Sequence, residues 1–124
     1  MSVQYFVGID LGTTNSVVAY LPADCEDATE PEILPIPQLV AAGTKESLNG
    51  LASFLYIGEK HESGSGAYDL DWAKKRDFAV GELARRNAAE VPQRSVGGAK
   101  SWLAHHGVNR HDEILPYNAP DEVA

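Results

Sequence analysis

Two apolar, β-branched runs at 3–9 and 16–21 flank a short stretch of Gly, Thr and Asn, and this arrangement predicts a β-hairpin with a polar tip. Val3, Tyr5, Val7, Ile9, Val17 and Ala19 alternate with Gln4, Phe6, Gly8, Ser16 and Val18, so both faces of the hairpin are more apolar than an exposed sheet tolerates. An acidic, proline-bounded segment at 22–31 reads as an exposed loop. Residues 32–36 carry prolines that confine them to an edge strand, completing a three-stranded meander over about 1–37. The next stretch, 38–50, reads as a loop, and 52–57 as a strand. Residues 61–66 are rich in Gly and Ser and read as flexible, while Tyr68-Asp69-Leu70-Asp71-Trp72 fits no template. A strand at 77–80 leads into a helix at 82–90 with Leu83, Ala84, Asn87, Ala88 and Val91 on one face, stopped by Pro92. A second helix is expected over 93–105, stopping at Gly107, although Gly97-Gly98 works against it. Residues 114–117 return as a strand, and no internal repeat is present.

The tip of the opening hairpin carries the chemistry. Asp10 ends the first strand, and Gly12, Thr13, Thr14 and Asn15 offer backbone N–H groups and polar side chains within a few ångströms of one another. A concave run of N–H groups favours an anion. An acid beside it suits a hydrated magnesium, which keeps several waters and takes few protein oxygens. The bland reading is an ordinary turn, since edge hairpins often carry Gly, Thr and Asn there. Resemblance separates the two: Ile9-Asp10-Leu11-Gly12-Thr13-Thr14-Asn15-Ser16 resembles the first phosphate motif of the actin-like ATPase superfamily, in the spelling of the DnaK-type chaperones of the heat-shock protein 70 family.

The resemblance extends to Ala79-Val80-Gly81-Glu82-Leu83-Ala84-Arg85-Arg86-Asn87, then Pro92, then Ala99-Lys100, which are similar in order and spacing to that family's second stretch. It implies that Lys100 is the lysine reaching over the nucleotide cleft toward the transferred phosphate. By the residue alone, Lys100 is a surface lysine. The resemblance also implies an α/β fold, a partial actin-like ATPase (ribonuclease H-like) lobe: a meander at 1–37, a smaller α/β subdomain at 38–112 and a returning segment at 113–124. Its implied cofactors are ATP or ADP with Mg2+. Asp10 is then the metal acid acting through water, Asp10 and Lys100 the catalytic pair, and Gly12, Thr13, Thr14 and Asn15 the phosphate cradle. Segments 38–50 and 58–78 are longer than in an ordinary chaperone, and Leu51-Ala52-Ser53 stands where the family usually carries Thr-Pro-Ser. The match therefore resembles a divergent member.

The chain has 124 residues, enough for one small domain but short of the two lobes an actin-like ATPase needs, so a fragment is expected. The family's second phosphate loop, catalytic acid, adenosine pocket and peptide-binding domain would lie past Ala124. Walker-type and G-x-G-x-x-G motifs are absent, which leaves P-loop and Rossmann folds unsupported. The net charge of −8 argues against nucleic acid or an anionic membrane as the main partner. Eight of the ten Lys and Arg residues nonetheless fall between Lys74 and Arg110, where only Asp77, Glu82 and Glu90 oppose them, and this reads as a solvated face. Cys25 is alone, no secretory leader or membrane-length apolar run is evident, and a cytoplasmic location is expected.

Other constellations carry less. The acids between Asp24 and Glu32 lack calcium-loop spacing. Adjacent His105 and His106 diverge by about 100° on a helix, and with His111 they form no tetrahedral set. Trp72 and Trp102 read as anchors of a small core, and Ser16 and Ser53 have no His-Asp partners for nucleophilic work. Three functions remain open: a chaperone-type ATPase whose intact form acts on unfolded polypeptide with co-chaperones, a sugar- or acetate-kinase relative, and an interaction module without chemistry. Asn15-Ser16 and the stretch up to Lys100 favour the first. Because the family sheet draws its remaining strands from later sequence, the chain by itself is expected to be inactive. It is also expected to self-associate, through the 1–37 meander, the tail from Asn118 or an exchanged element.

Overall fold

A computed structural model describes residues 4–102, 106–107 and 115–116. It shows an α/β chain made mostly of short strands. β1 (Tyr5–Leu11) and β2 (Asn15–Pro22) form the expected antiparallel hairpin, with Tyr5 opposite Pro22 and Leu11 opposite Ser16. The far edge of β2 is shared: β3 (Glu32–Ile33) pairs with its later half, and β6 (Leu51–Ala52) with its start at Asn15 and Ser16.

Residues 38–50 are not a loop. β4 (Ile36–Ala41) and β5 (Thr44–Leu48) form a second hairpin, turning through Gly43 at a φ of 74°. Leu39 and Val40 are buried there, and the irregular register after Leu39 hides the alternation that would have marked the strand. The strand expected at 52–57 is two strands in different sheets, because Ser53 breaks it between β6 and β7 (Phe54–Ile57). β7 is the centre of a third sheet, flanked by β8 (Phe78–Val80) and β9 (Ser95–Gly97).

Helix α1 (Glu82–Glu90) lies where the periodicity placed it, with Leu83 and Ala84 buried. The second expected helix is corrected: Pro92–Arg94 is a 3-10 turn, Ser95–Gly97 is β9, and only Ala99–Trp102 is helical (α2), with Gly98 at a φ of 64° before it. Val96 takes up strand pairing with Leu55. The remainder of that expected helix lies outside the described residues. Of the strand expected at 114–117, Leu115 and Pro116 are described and neither is in a strand.

The core gathers Leu39, Tyr56, Tyr68, Leu70, Ala79, Leu83 and Ala84 between α1, the β8-β7-β9 sheet and the β4–β5 hairpin. Tyr68 and Leu70 come from the stretch that fitted no template. Alternation buries them, and a turn closed by the Leu70–Ala73 bridge then throws Trp72 outward, so Trp72 is not a core anchor. The Gly- and Ser-rich segment before them is turned and tied: Glu62 accepts from the Glu59 N–H, and the Ser65 hydroxyl donates to the Glu62 carbonyl.

Gln38 joins three elements from a buried position. Its Nε2 donates to the Ile36 and Gly50 carbonyls, and its Oε1 accepts the Glu82 N–H at 3.0 Å, supplying the first turn of α1 with a cap that its own sequence lacks. Gly81 is required beside it. Its φ is 96°, and a Cβ there would stand 2.5 Å from Gln38 Oε1.

Glu82 then accepts from both Arg85 and Arg86, and chiefly the Arg85 hydrogen bond holds its carboxyl at about 2, below its ordinary 4.5. A carboxyl whose folded value is depressed contributes stability above its unfolded value and loses it as pH falls through the folded one. Glu82→Gln is therefore expected to cost about 1 kcal/mol at pH 7, discounted because both arginines stand half in water. The deficit should shrink between pH 4.5 and 2. Urea unfolding across that range checks both the size and the direction.

Candidate phosphate-binding site

The turn between β1 and β2 is closed by the Gly12 N–H donating to the Asn15 carbonyl at 3.0 Å. This corrects one expectation, since the Gly12 amide is committed within the turn and is not available to an anion. Thr13 and Thr14 form the two-residue tip at negative φ, unlike the mirror-image turns that close most hairpins of this length. Their amides have no partner among the described residues. Gly12 cannot be exchanged cheaply, because a Cβ there would lie 2.3 Å from the Asn15 carbonyl oxygen.

Ser53 holds the turn from outside. Its N–H donates to the Thr14 carbonyl at 2.8 Å and its hydroxyl to the Gly12 carbonyl at 2.9 Å. Sequence reasoning weighed Ser53 only as a nucleophile and missed this role. The available signal was that Leu51-Ala52-Ser53 keeps the final serine of the usual Thr-Pro-Ser.

Lys100 arrives from 89 residues away. Gly98 turns the chain after β9, α2 begins at Ala99, and the Lys100 ammonium donates to the Leu11 carbonyl at 2.6 Å. Lys100 and Gly12, at the base of the turn, line the same opening, a cavity of about 560 Å³ whose lining also includes Leu11, Ser16, Phe54 and Val96. Ser16, Ser53 and Lys100 are its polar side chains, and most of the rest of the lining is apolar residues of β6, β7, β8 and β9.

Asp10 is exposed at the end of β1, opposite Val17. Strand alternation sends its side chain to the face away from Leu11, and it has no hydrogen bond or ion pair among the described residues. Lys100 is therefore brought to the strand end beside the turn, while Asp10 is not among the residues that line the cavity. The unpartnered Thr13 and Thr14 amides at an exposed turn, and an ammonium held at the preceding residue, are donors of the kind a phosphate takes. A single carboxylate fits magnesium only as one ligand among waters and phosphate oxygens. Among the described residues no three His, Cys, Asp or Glu side chains gather to hold a metal. His105 and His111 lie outside the described residues, as does the Trp102 side chain.

Comparison with known proteins gives one distant similarity. The chain is 27% identical over 119 residues to a protein named chaperone protein dnaK from Gracilaria tenuistipitata var. liui. That is a distant, partial similarity to DnaK. The match takes in 94% of this chain and 15% of the chaperone, so the chain spans less than a sixth of the relative's length. No family model matches the chain, and no solved structure matches it. No helix among the described residues is long and apolar enough to cross a membrane.

Proposed function

We propose that this chain is the opening part of the ATP-binding domain of a divergent DnaK-like chaperone, with the meander at 1–37 belonging to the first lobe of an actin-like ATPase and 38–112 to its smaller subdomain. The observation that carries the reading is Lys100, which the family resemblance singled out. Its ammonium bonds to the carbonyl of Leu11, the residue that precedes the Gly12 turn.

In this reading Thr13 and Thr14 bind the phosphates of ATP through their amides and hydroxyls, Asn15 closes the cradle, and Gly12 keeps the turn tight. Lys100 leaves the Leu11 carbonyl to neutralise charge on the transferred group and to orient the attacking water, the part a protein cation plays in phosphoryl transfer. Asp10 would hold the hydrated Mg2+, which supplies neutralisation of the phosphate oxygens when bound. Hydrolysis, client polypeptide, co-chaperones and a cytoplasmic setting belong to the longer protein, and the isolated chain is inactive.

The chain presents one wall of a two-walled pocket, and half a pocket gives up most of the burial that makes nucleotide sites tight. Titration with magnesium and ATP, followed by amide chemical shifts, is expected to move Thr13 and Thr14 first, with a Kd weaker than about 10 μM. No shift at those amides at millimolar nucleotide, or tight binding that leaves them unmoved, would remove the reading.

A further inference from the structure

Arg76 carries a charge that no carboxylate among the described residues answers. Asp69, Asp71 and Asp77 flank it in sequence, yet Asp69 accepts the Lys75 N–H, Asp71 pairs with Lys45, and none of the three forms an ion pair with the guanidinium. The Arg76 Nε is out of contact with water and has no acceptor, the one such side-chain atom among the described residues. A buried donor left in that state costs about 1–3 kcal/mol, so it marks a place where an acceptor is expected. What the head does touch is the Phe78 ring, with the guanidinium carbon 4.3 Å from the ring centre, a stack that fixes the plane of the fork. The turn just before it is also fixed, because Lys75 is held at a φ of 57° by the 2.7 Å bond from its N–H to Asp69.

Arg76 lines a cavity of about 170 Å³ together with Ile36, Pro37, Leu39, Leu70 and Trp72. Every lining residue falls between Ile36 and Val80, so the walls come whole from described residues. Trp72 leaves 64% of its surface exposed and Phe78 38%, so aromatic surface continues outward from the cavity and from the cation. We propose that this cavity binds an acidic segment of a partner polypeptide, which seats a small apolar side chain inside and the carboxylate of a neighbouring aspartate or glutamate on the Arg76 guanidinium. Two parallel N–H···O bonds to the edge that carries Nε supply the missing acceptor. The volume admits one aliphatic side chain and is well below the roughly 300–1,000 Å³ of pockets that enclose a whole small molecule. The rest of the occupant therefore lies outside, against Trp72, and an extended chain fits that shape where a free acid leaves the indole unused. Neither Lys100 nor Gly12 lines this cavity, and the proposal is independent of the nucleotide reading.

The experiment titrates the isotope-labelled 124-residue chain with the capped tetrapeptide acetyl-Ser-Leu-Asp-Ser-amide, in which the aspartate is the sole carboxylate, and follows the Arg76 Nε–H and Trp72 indole N–H signals. Both should move together, with a Kd of about 1 mM or tighter. Asparagine in place of the peptide aspartate, or glycine in place of its leucine, should each weaken binding at least about fivefold. Arg76→Lys should do the same, since it keeps the charge and loses the fork. The altered peptides probe the contact without altering the protein, so the outcome does not depend on a variant folding. Free isocaproate, which has the carboxylate and the branched chain without the peptide, should bind at least about fivefold more weakly than the tetrapeptide. No movement of either signal at about 5 mM peptide overturns the proposal, as does an asparagine peptide that binds equally well. Equal affinity for isocaproate would make this a site for small acids and overturns the polypeptide as occupant.

Discussion

Replacing Lys100 with alanine, in the longer ATPase to which this chain is proposed to belong, is expected to slow ATP turnover by about two to four orders of magnitude. The size follows from what the ammonium is asked to do. A preorganised charge facing the transferred phosphoryl group acts where water is excluded, and removing one such group raises the barrier by about 3–5 kcal/mol. The structural cost should be small by comparison, because Lys100 is exposed and its one described bond is to a strand carbonyl that water can satisfy. Steady-state turnover read beside thermal unfolding separates the two effects. Turnover falling with the unfolding temperature unchanged is the expected result, and turnover left intact would show that Lys100 is the surface lysine its residue type first suggests.

The largest effect on stability is expected at Tyr68. It comes from a segment that sequence alone left without an assignment, yet only 2% of its surface is exposed. Its ring meets Tyr56 edge to face at 6.2 Å between centroids. Gly58 makes room for it, since a Cβ there would stand 2.6 Å from the Tyr68 ring. Burial, with Glu62 nearby, pushes the Tyr68 hydroxyl well above its ordinary range, so the ring stays neutral over any working pH. Truncating a buried aromatic costs about 3–5 kcal/mol, so Tyr68→Ala is expected to lower the midpoint of thermal unfolding by about 10 °C or more. Trp72, four residues on and 64% exposed, is the control: Trp72→Ala should move the midpoint by far less. Equal effects at the two positions would mean that this excursion is not fastened to the core by Tyr68.

These two residues also mark what could and could not be read in advance. Lys100 was legible because a motif resemblance carries a position through sequence without requiring its surroundings. Its partner, the Leu11 carbonyl, was not legible, since a backbone acceptor leaves no trace in residue type. Ser53 was missed for the same reason: both of its bonds run to main-chain carbonyls of the turn. Asp10 and the Thr13-Thr14 tip were named together, and strand alternation then set Asp10 on the face away from Leu11.

What the sequence by itself determined are the elements whose signal is local. The β1–β2 hairpin follows from β-branched runs around a polar turn, α1 from its 3.6-residue periodicity and Pro92, and the resemblance from Asp10 to Ser16. Tertiary structure decided the rest. Residues 95–97 became β9 and not helix because β7 offered an open edge for Ser95, Val96 and Gly97. The β4–β5 hairpin lost its visible alternation to an irregular register, and α1 took its cap from Gln38, 44 residues distant in sequence. Pairing and capping of this kind are backbone bonds to distant partners, which satisfy any residue type that fits the space. Local pattern does not encode them, and only the folded chain supplies the partner.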